Sequence, residues 1–446
     1  MTTKRIAALI GVLGLAFGVA ACGHINNPFS KTQPGKYKGT GTRIPVIAFD
    51  QSLKVADALK GAEFYLPDPQ AVTDWPLAGG TPAQSVENAD AGHAFAIDWR
   101  THFGRGSDRA FHVTAPPVAA DGRIYVMDGA ATVSAHDLKS GREIWRKDLA
   151  VRTRRSGEAF GGGLAYADGK LFVSSGYRFV AAVDAATGKL LWRTMTEAPV
   201  HAAPTVSGGR VFAESTDDNL LTFDAATGAA GWAYQALPES ARILAATSPA
   251  VSGDAVVASF ASGELVSLQA SNGNGLWTAS LSKSNRNSAL SEIRDISGRP
   301  VIYRGDVFAV SHSGLFTSIE LRTGAEHWQL PVTSISSPWP VGDVVYITDT
   351  AGEVLCVARD SGLIYWITDL NKSAKKAKDR AVWSGPVLAA NRLVVVSSKG
   401  EAVALNAKTG ALEKRLRLGS EALMNPIAVG PDLYVAAENA ELIAIR

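Results

Sequence analysis

One phrase constrains this chain more than any other feature: a Gly followed four residues later by Trp. It reads Gly141/Trp145, Gly188/Trp192, Gly228/Trp232, Gly273/Trp277, Gly324/Trp328 and Gly362/Trp366. It returns at Gly410 with Lys414 in place of the Trp. The fullest copies run Asp184-Ala185-Ala186-Thr187-Gly188 and Asp224-Ala225-Ala226-Thr227-Gly228. Intervals of 38 to 51 residues between successive tryptophans mark a repeat architecture, in which each unit buries its apolar faces against its neighbours.

Each repeat carries the same events in order. A Pro opens it (Pro116, Pro204, Pro249, Pro338, Pro386, Pro426), an apolar run follows, then a Gly/Asp/Asn turn such as Asp168-Gly169. A β-branched and aromatic run comes next, for example Lys170-Leu171-Phe172-Val173, and the Thr-Gly turn finally reverses the chain into the Trp strand. That pattern predicts four antiparallel strands per unit. Gly in the turn accepts positive φ without strain, and the Asp carboxylate and Thr hydroxyl bond local backbone N–H groups. Six residues before each Gly stands a small side chain: Ala135, Ala182, Thr222, Ser267, Ser318, Cys356 and Ala404. Smallness there fits a position wedged where neighbouring sheets converge.

The last residues, Leu442-Ile443-Ala444-Ile445-Arg446, repeat the register of Ala402 to Asn406, so the chain ends one strand short of a complete unit. Phe95 to Arg100, containing Trp99, supplies the missing Trp strand at one repeat length before Trp145. The expected fold is therefore all-β: an eight-bladed β-propeller of four-stranded antiparallel blades over residues 93–446, its last blade completed by an N-terminal strand. Closure of this kind leaves only short protected edges. A seven-bladed ring with an unrelated N-terminal strand is the competing architecture.

Lys4 and Arg5 precede an apolar run from Ile6 to Val19 that is too short to span a bilayer comfortably. Val19-Ala20-Ala21-Cys22-Gly23 resembles a bacterial lipobox, which predicts a signal peptide over 1–21 and lipidation at Cys22. Multiple acyl chains make a stable anchor, each buried methylene contributing about 0.8 kcal/mol. Without an Asp after the Cys, the outer membrane is favoured as the destination. Residues 24 to 44 read as a tether. Ile44 to Phe49 suggests a strand and Ser52 to Ala62 a short helix; both are expected to pack on the propeller within a lipidated 22–92 segment.

The formal net charge of +2 gives no field of one sign for nucleic acid or an anionic membrane surface. Two cysteines, Cys22 and Cys356, exclude a disulfide scaffold. Cys356 holds the small-residue register and reads as a packed thiol. The eight histidines show no metal-ligand spacing. Gly161-Gly162-Gly163 lacks the Lys-Ser/Thr ending of a phosphate loop and reads as a strand entrance. Two basic runs, Arg152/Arg154/Arg155 and Lys372 to Arg380, read as solvated loops, with contact to an acidic partner or to anionic headgroups as the lesser reading.

Taken together, the repeats resemble those of the quinoprotein (PQQ-type) propellers. With the lipobox, the tether and eight repeats and no further domain, the chain is similar to the BamB family of outer-membrane protein assembly factors from Cys22 to Arg446. The resemblance implies a non-catalytic, lipid-anchored scaffold at the periplasmic face of the outer membrane. It would bind the POTRA domains of BamA in the barrel assembly complex and assist insertion of unfolded outer-membrane β-barrel clients. No cofactor and no metal are implied. Carried over by the Pro register, the family's BamA-binding loops fall at Arg242-Ile243-Leu244 and at Ile293-Arg294-Asp295-Ile296. Ser297 stands where the family places a second Asp. On the residues alone, Ile243 and Leu244 read as the start of a strand before they read as an interface. The alternatives are a periplasmic quinone-dependent dehydrogenase, which would need a catalytic Asp, a metal site and often adjacent cysteines, and a carbohydrate- or peptidoglycan-binding lipoprotein.

Overall fold

The computed structural model describes residues 53–151, 161–237, 247–281, 296 and 298–446. Within them lie eight four-stranded antiparallel sheets and almost no helix. Blade 1 runs from Val118 to Asp148, blade 2 from Gly162 to Met195, blade 3 from Thr205 to Gln235 and blade 4 from Ala250 to Ser280. Blades 5, 6 and 7 span Val301–Leu330, Trp339–Asp369 and Trp383–Arg417. Blade 8 takes three strands from Ile427–Ile445 and its outer strand, Ile97–His102, from the other end of the chain. In that pair Trp99 faces Ala444 and Arg100 faces Ile443. The eight-bladed reading and its closing strand are therefore both seen. The second and third strands of each blade carry the core, while outer strands alternate exposed and half-buried positions.

The repeated Trp joins consecutive blades. Each ring lies against the Thr-Gly turn of the next blade, so closely that a Cβ on that Gly would sit 2.5 to 2.9 Å from the indole. Trp99 covers Gly141, Trp145 covers Gly188, Trp192 covers Gly228, Trp232 covers Gly273, and the series continues to Trp366 on Gly410. Glycine is required twice over, because these turns also hold φ near +70°. Most indole N–H groups then donate to the backbone three residues before that Gly: Trp145 to the Ala185 carbonyl (3.0 Å), Trp232 to Ala270 (3.2 Å), Trp277 to Leu321 (2.6 Å), Trp328 to Arg359 (2.8 Å). The turns close as their chemistry requires. Thr187 donates both its N–H (2.8 Å) and its hydroxyl (2.6 Å) to the Asp184 carboxylate, and these bonds hold that carboxyl below its usual range.

The small residue expected at a convergence of sheets sits directly across the strand pair from its own Trp, as Ala182 does opposite Trp192 and Cys356 opposite Trp366. Trp232 corrects the expectation that every repeat is built alike. The other blades shift register just after this pair, whereas in blade 3 the shift falls between Leu221 and Phe223 and the Thr222–Trp232 pair itself drops out of the ladder. Trp232 is half-buried, as Trp145, Trp192 and Trp277 are. The cause is the one β-branched member of the small-residue series. Thr222 turns its hydroxyl onto the outer strand and donates it to the Trp232 carbonyl (2.5 Å). A Cβ at residue 231 would lie 2.7 Å from that hydroxyl, so the strand carries Gly231 there. The indole itself keeps its place, 6.1 Å from the Phe212 ring between centroids.

Lys414 has a structural reason. The blade that follows it is blade 8, whose third and outer strands come from opposite ends of the chain, so no Thr-Gly turn exists there to receive a Trp. Lys414 instead reaches the Ala94 carbonyl with its Nζ (2.9 Å).

Residues 53–92 form a strap across one end of the ring. The expected helix at Ser52–Ala62 is only one 3-10 turn, Asp57–Leu59, because Val55 and Ala56 are drawn into extended pairing with Ile364 of blade 6. The strap then bonds in turn to Asp343 (blade 6), Gly430 (blade 8), Ala119 (blade 1), Tyr166 (blade 2), Val251 (blade 4) and Ile302 (blade 5). Gln84 reaches Thr205 of blade 3, and Ala89 pairs with Ala389 of blade 7. All eight blades are thus touched. Trp75, only 1% exposed, stacks on Trp339 with ring centroids 6.2 Å apart. The backbone contacts with Tyr166, Asp343, Ala389 and Gly430 fall at or just past the C-terminal ends of innermost strands, so the strap covers that end of the channel, while the Gln84 side chain reaches on to Thr205 at the start of one.

Candidate functional site

The opposite end of the channel is where the links between blades enter. Each link runs from an outer strand to the start of the next innermost strand, and the residues at those starts line a cup of about 430 Å³. Blade 1 contributes His112 and Val113, blade 3 His201 and Ala203, blade 4 Ser248, blade 5 Arg299, and blade 8 Leu423, Met424 and Glu438. The same links carry the segments expected to bind a partner.

Arg242, Ile243, Leu244, Arg294 and Asp295 lie outside the described residues, as do Cys22, the strand expected at Ile44–Phe49 and the basic run at Arg152–Arg155. The residues that flank the two partner segments are described. Leu237 is 65% exposed where the first segment leaves blade 3, and its N–H is held by the Glu264 carboxylate (3.0 Å). Thr247, where it rejoins blade 4, donates its hydroxyl to Glu214 (2.5 Å). The second segment leaves after Leu281, bonded to the Gly263 carbonyl, and rejoins through Ile296 and Arg299. The described flanks of both segments thus lie on neighbouring links, blades 3 to 4 and 4 to 5, and Ser248 and Arg299 from those flanks line the cup.

The electrostatics of the cup are uneven. Arg299 is partly buried, its Nε is sealed from solvent with no hydrogen-bond partner, and burial lowers its pKa to about 10. Its backbone N–H is fixed by the Ser337 hydroxyl (3.0 Å). Across the ring, burial pushes the Glu438 carboxyl upward, partly offset by the bond it accepts from the Ser107 hydroxyl. The sequence reading of scattered histidines missed that His112 and His201, far apart in the chain, line the same cup. A metal-binding group of three or more His, Cys, Asp or Glu is absent among the described residues.

Other residues singled out from the sequence are structural. Gly162 opens the first strand of blade 2, and a Cβ on Gly163 would meet Ala203 at 2.4 Å, so the glycine run is a place of close approach between innermost strands. Cys356 is fully buried and burial pushes its thiol well above the ordinary value, which makes it unreactive. His136 is buried between the Ser134 hydroxyl and the Gly141 carbonyl, each at 3.0 Å. Lys372, Lys375, Lys376, Lys378 and Arg380 are all exposed.

A family profile described as "Outer membrane protein assembly factor BamB" matches residues 129–368 and 371–446. Curated relatives carry the same description. One from Moranella endobia is 23% identical over 339 residues, covering 75% of this chain and 86% of the relative. One from Escherichia coli K12 is 24% identical over 407 residues, covering 82% of this chain and 91% of the relative. Among solved structures, BamB from Moraxella catarrhalis superposes with a TM-score of 0.65 at 18% identity, over 78% of this chain and 99% of that one. A europium-containing methanol dehydrogenase gives 0.66 at 16%, over 82% and 89%. At such identities the structural likenesses speak for the fold alone.

Proposed function

Because the chain belongs to the family of the outer membrane protein assembly factor BamB, we propose that it serves outer-membrane protein assembly as a non-catalytic scaffold. The observation that carries this reading is the family match over 129–368 and 371–446, which spans most of the blades of the closed ring. The chain is not an enzyme: its curated relatives are named as assembly factors, from Moranella to Escherichia. The dehydrogenase likeness extends to the propeller and no further.

The finer proposal concerns place and partner. Lipid at Cys22 holds the ring at the periplasmic face of the outer membrane, and the chain binds the POTRA domains of BamA within the barrel assembly complex, assisting unfolded barrel clients. Arg242, Ile243 and Leu244 with Arg294 and Asp295 form the contact. Support comes from the neighbouring anchor points of both segments at one end of the ring and from the exposed Leu237 beside the first. An apolar cluster with an Arg is the composition that carries binding energy at interfaces. Ser297 in place of a second Asp lightens the acidic share of the contact.

Co-purification of the full lipidated chain with a POTRA-bearing barrel protein tests the reading. Arg242→Glu and Asp295→Arg are each expected to weaken that association at least about tenfold, near 1.4 kcal/mol, with thermal unfolding unchanged. Unaltered binding by both variants would remove the assigned contact, and Cys22→Ser should shift the chain from the membrane to the soluble fraction.

A further inference from the structure

The cup at the open end of the channel holds one residue that breaks the pattern of the ring. The residue just before the opening Pro of a blade stands at the start of an innermost strand and is small or short: Ala115, Ala203, Ser248, Ser337, Gly385 and Asn425, with Gly162 opening blade 2. In blade 5 the same position, before Pro300, is Arg299. A long cation stands where the other blades carry short side chains.

Arg299 forms no ion pair among the described residues, and its Nε is sealed from solvent without an acceptor. An uncompensated cation in a water-poor site is costly to the fold unless something neutralises it. The lowered pKa of the guanidinium has burial as its cause. The Arg299 backbone N–H is fixed by the Ser337 hydroxyl. The remaining walls are of two kinds. Val113, Leu423 and Met424 are apolar, while His112 and His201 are polar. The strap blocks the far end, which makes the channel a blind cup of about 430 Å³ rather than a pore.

We infer that this cup binds a monocarboxylate carried on an apolar body, its carboxylate seated on the Arg299 guanidinium and its hydrocarbon against Val113, Leu423 and Met424. A guanidinium grips a carboxylate through two parallel N–H bonds. A single cation suits one negative charge, and Glu438 in the same lining disfavours multiply charged groups such as phosphate. The carboxylate can belong to a small organic acid or to the C-terminus of an apolar peptide. This site differs from the partner contact proposed above in the residues it uses, Arg299 with Val113, Leu423 and Met424.

Titration calorimetry on the full chain with three probes tests the assignment: N-acetyl-leucyl-leucine as the free acid, its carboxamide, and 3-phenylpropionate. The free acid should bind at least ten times more tightly than the carboxamide. Binding of both acids supports the site and points to small organic acids; binding of the peptide acid alone supports it and points to a peptide terminus. Arg299→Met should lower acid binding at least tenfold while its melting temperature holds or rises, because the unpaired cation is gone. Should Arg299→Met fail to fold, Arg299→Lys keeps the charge, loses the planar fork and should weaken acid binding at least threefold. Equal binding of acid and carboxamide, no binding of either acid, or unchanged binding by the Lys variant would overturn the inference.

Discussion

The contact between an indole and a glycine sets the spacing of this ring. Trp192 is half-buried, covers Gly228, meets Phe172 at 6.0 Å between centroids and donates to the Ala225 carbonyl (3.3 Å). Trp192→Ala removes all three contacts and is expected to cost about 3 kcal/mol, the low end for a large aromatic because one side is already in water. Urea unfolding monitored by circular dichroism measures it. The contact also shows why its chemistry was legible only in part. Gly and Trp recur at fixed spacing, so the repeat could be read from the chain. Their partnership crosses blades, Trp99 with Gly141 and Trp145 with Gly188, which no pattern within one repeat displays. The loss of the Thr222–Trp232 pair from the ladder was equally hidden, since it turns on where the Thr222 hydroxyl finds its acceptor. The indole N–H groups differ too: those of Trp99 and Trp366 lack acceptors, and Tyr434 and Tyr346 donate their hydroxyls to Leu138 and Ala407 at the equivalent carbonyls, whereas the Ala185 carbonyl accepts from both Tyr125 and Trp145.

Among elements, the strap departs furthest from what composition suggested. Residues 53–92 have neither period two nor period 3.6, and no residue in them bonds to a near neighbour in a regular ladder. Their conformation is dictated by backbone groups of seven blades and the Thr205 hydroxyl of blade 3, information that lies elsewhere in the chain. Gln84 illustrates this: its side chain is 3% exposed, and its amide nitrogen donates to the Thr205 hydroxyl and to the Pro249 carbonyl (3.1 Å). Trp75 is the strap's apolar anchor. Trp75→Ala is expected to destabilise the chain by about 3–5 kcal/mol, whereas Tyr65→Ala, at a side chain 56% exposed, should change stability by less than about 0.5 kcal/mol. Differential scanning calorimetry of both variants would show the contrast. The cup was hidden for the same reason: His112, His201 and Arg299 meet only when the ring closes.

At the scale of the whole molecule, the two ends of the channel are assigned to different work. One is stoppered by the strap, and the other presents the links between blades and the cup they surround. The ring holds this division because it is continuous, and continuity depends on the pairing of Ile97–His102 with Glu441–Ile445. Arg446 reinforces it, forming ion pairs with Asp432 (3.0 Å) and Asp98 (3.3 Å) while its backbone exchanges hydrogen bonds with Ala96. Removing residues 441–446 should abolish the single cooperative melt and expose Ile97–His102 to protease, as limited proteolysis followed by mass spectrometry would reveal.

Ribosomes deliver a chain amino end first, and that order bears on the pair just described. Ile97–His102 is made before any other blade strand, yet its neighbour Glu441–Ile445 is made after all the rest. Through the whole of elongation this early strand has an idle hydrogen-bonding edge, the kind of surface on which nascent chains aggregate. Safe biogenesis therefore turns on shielding Ile97–His102 until Glu441–Ile445 has emerged.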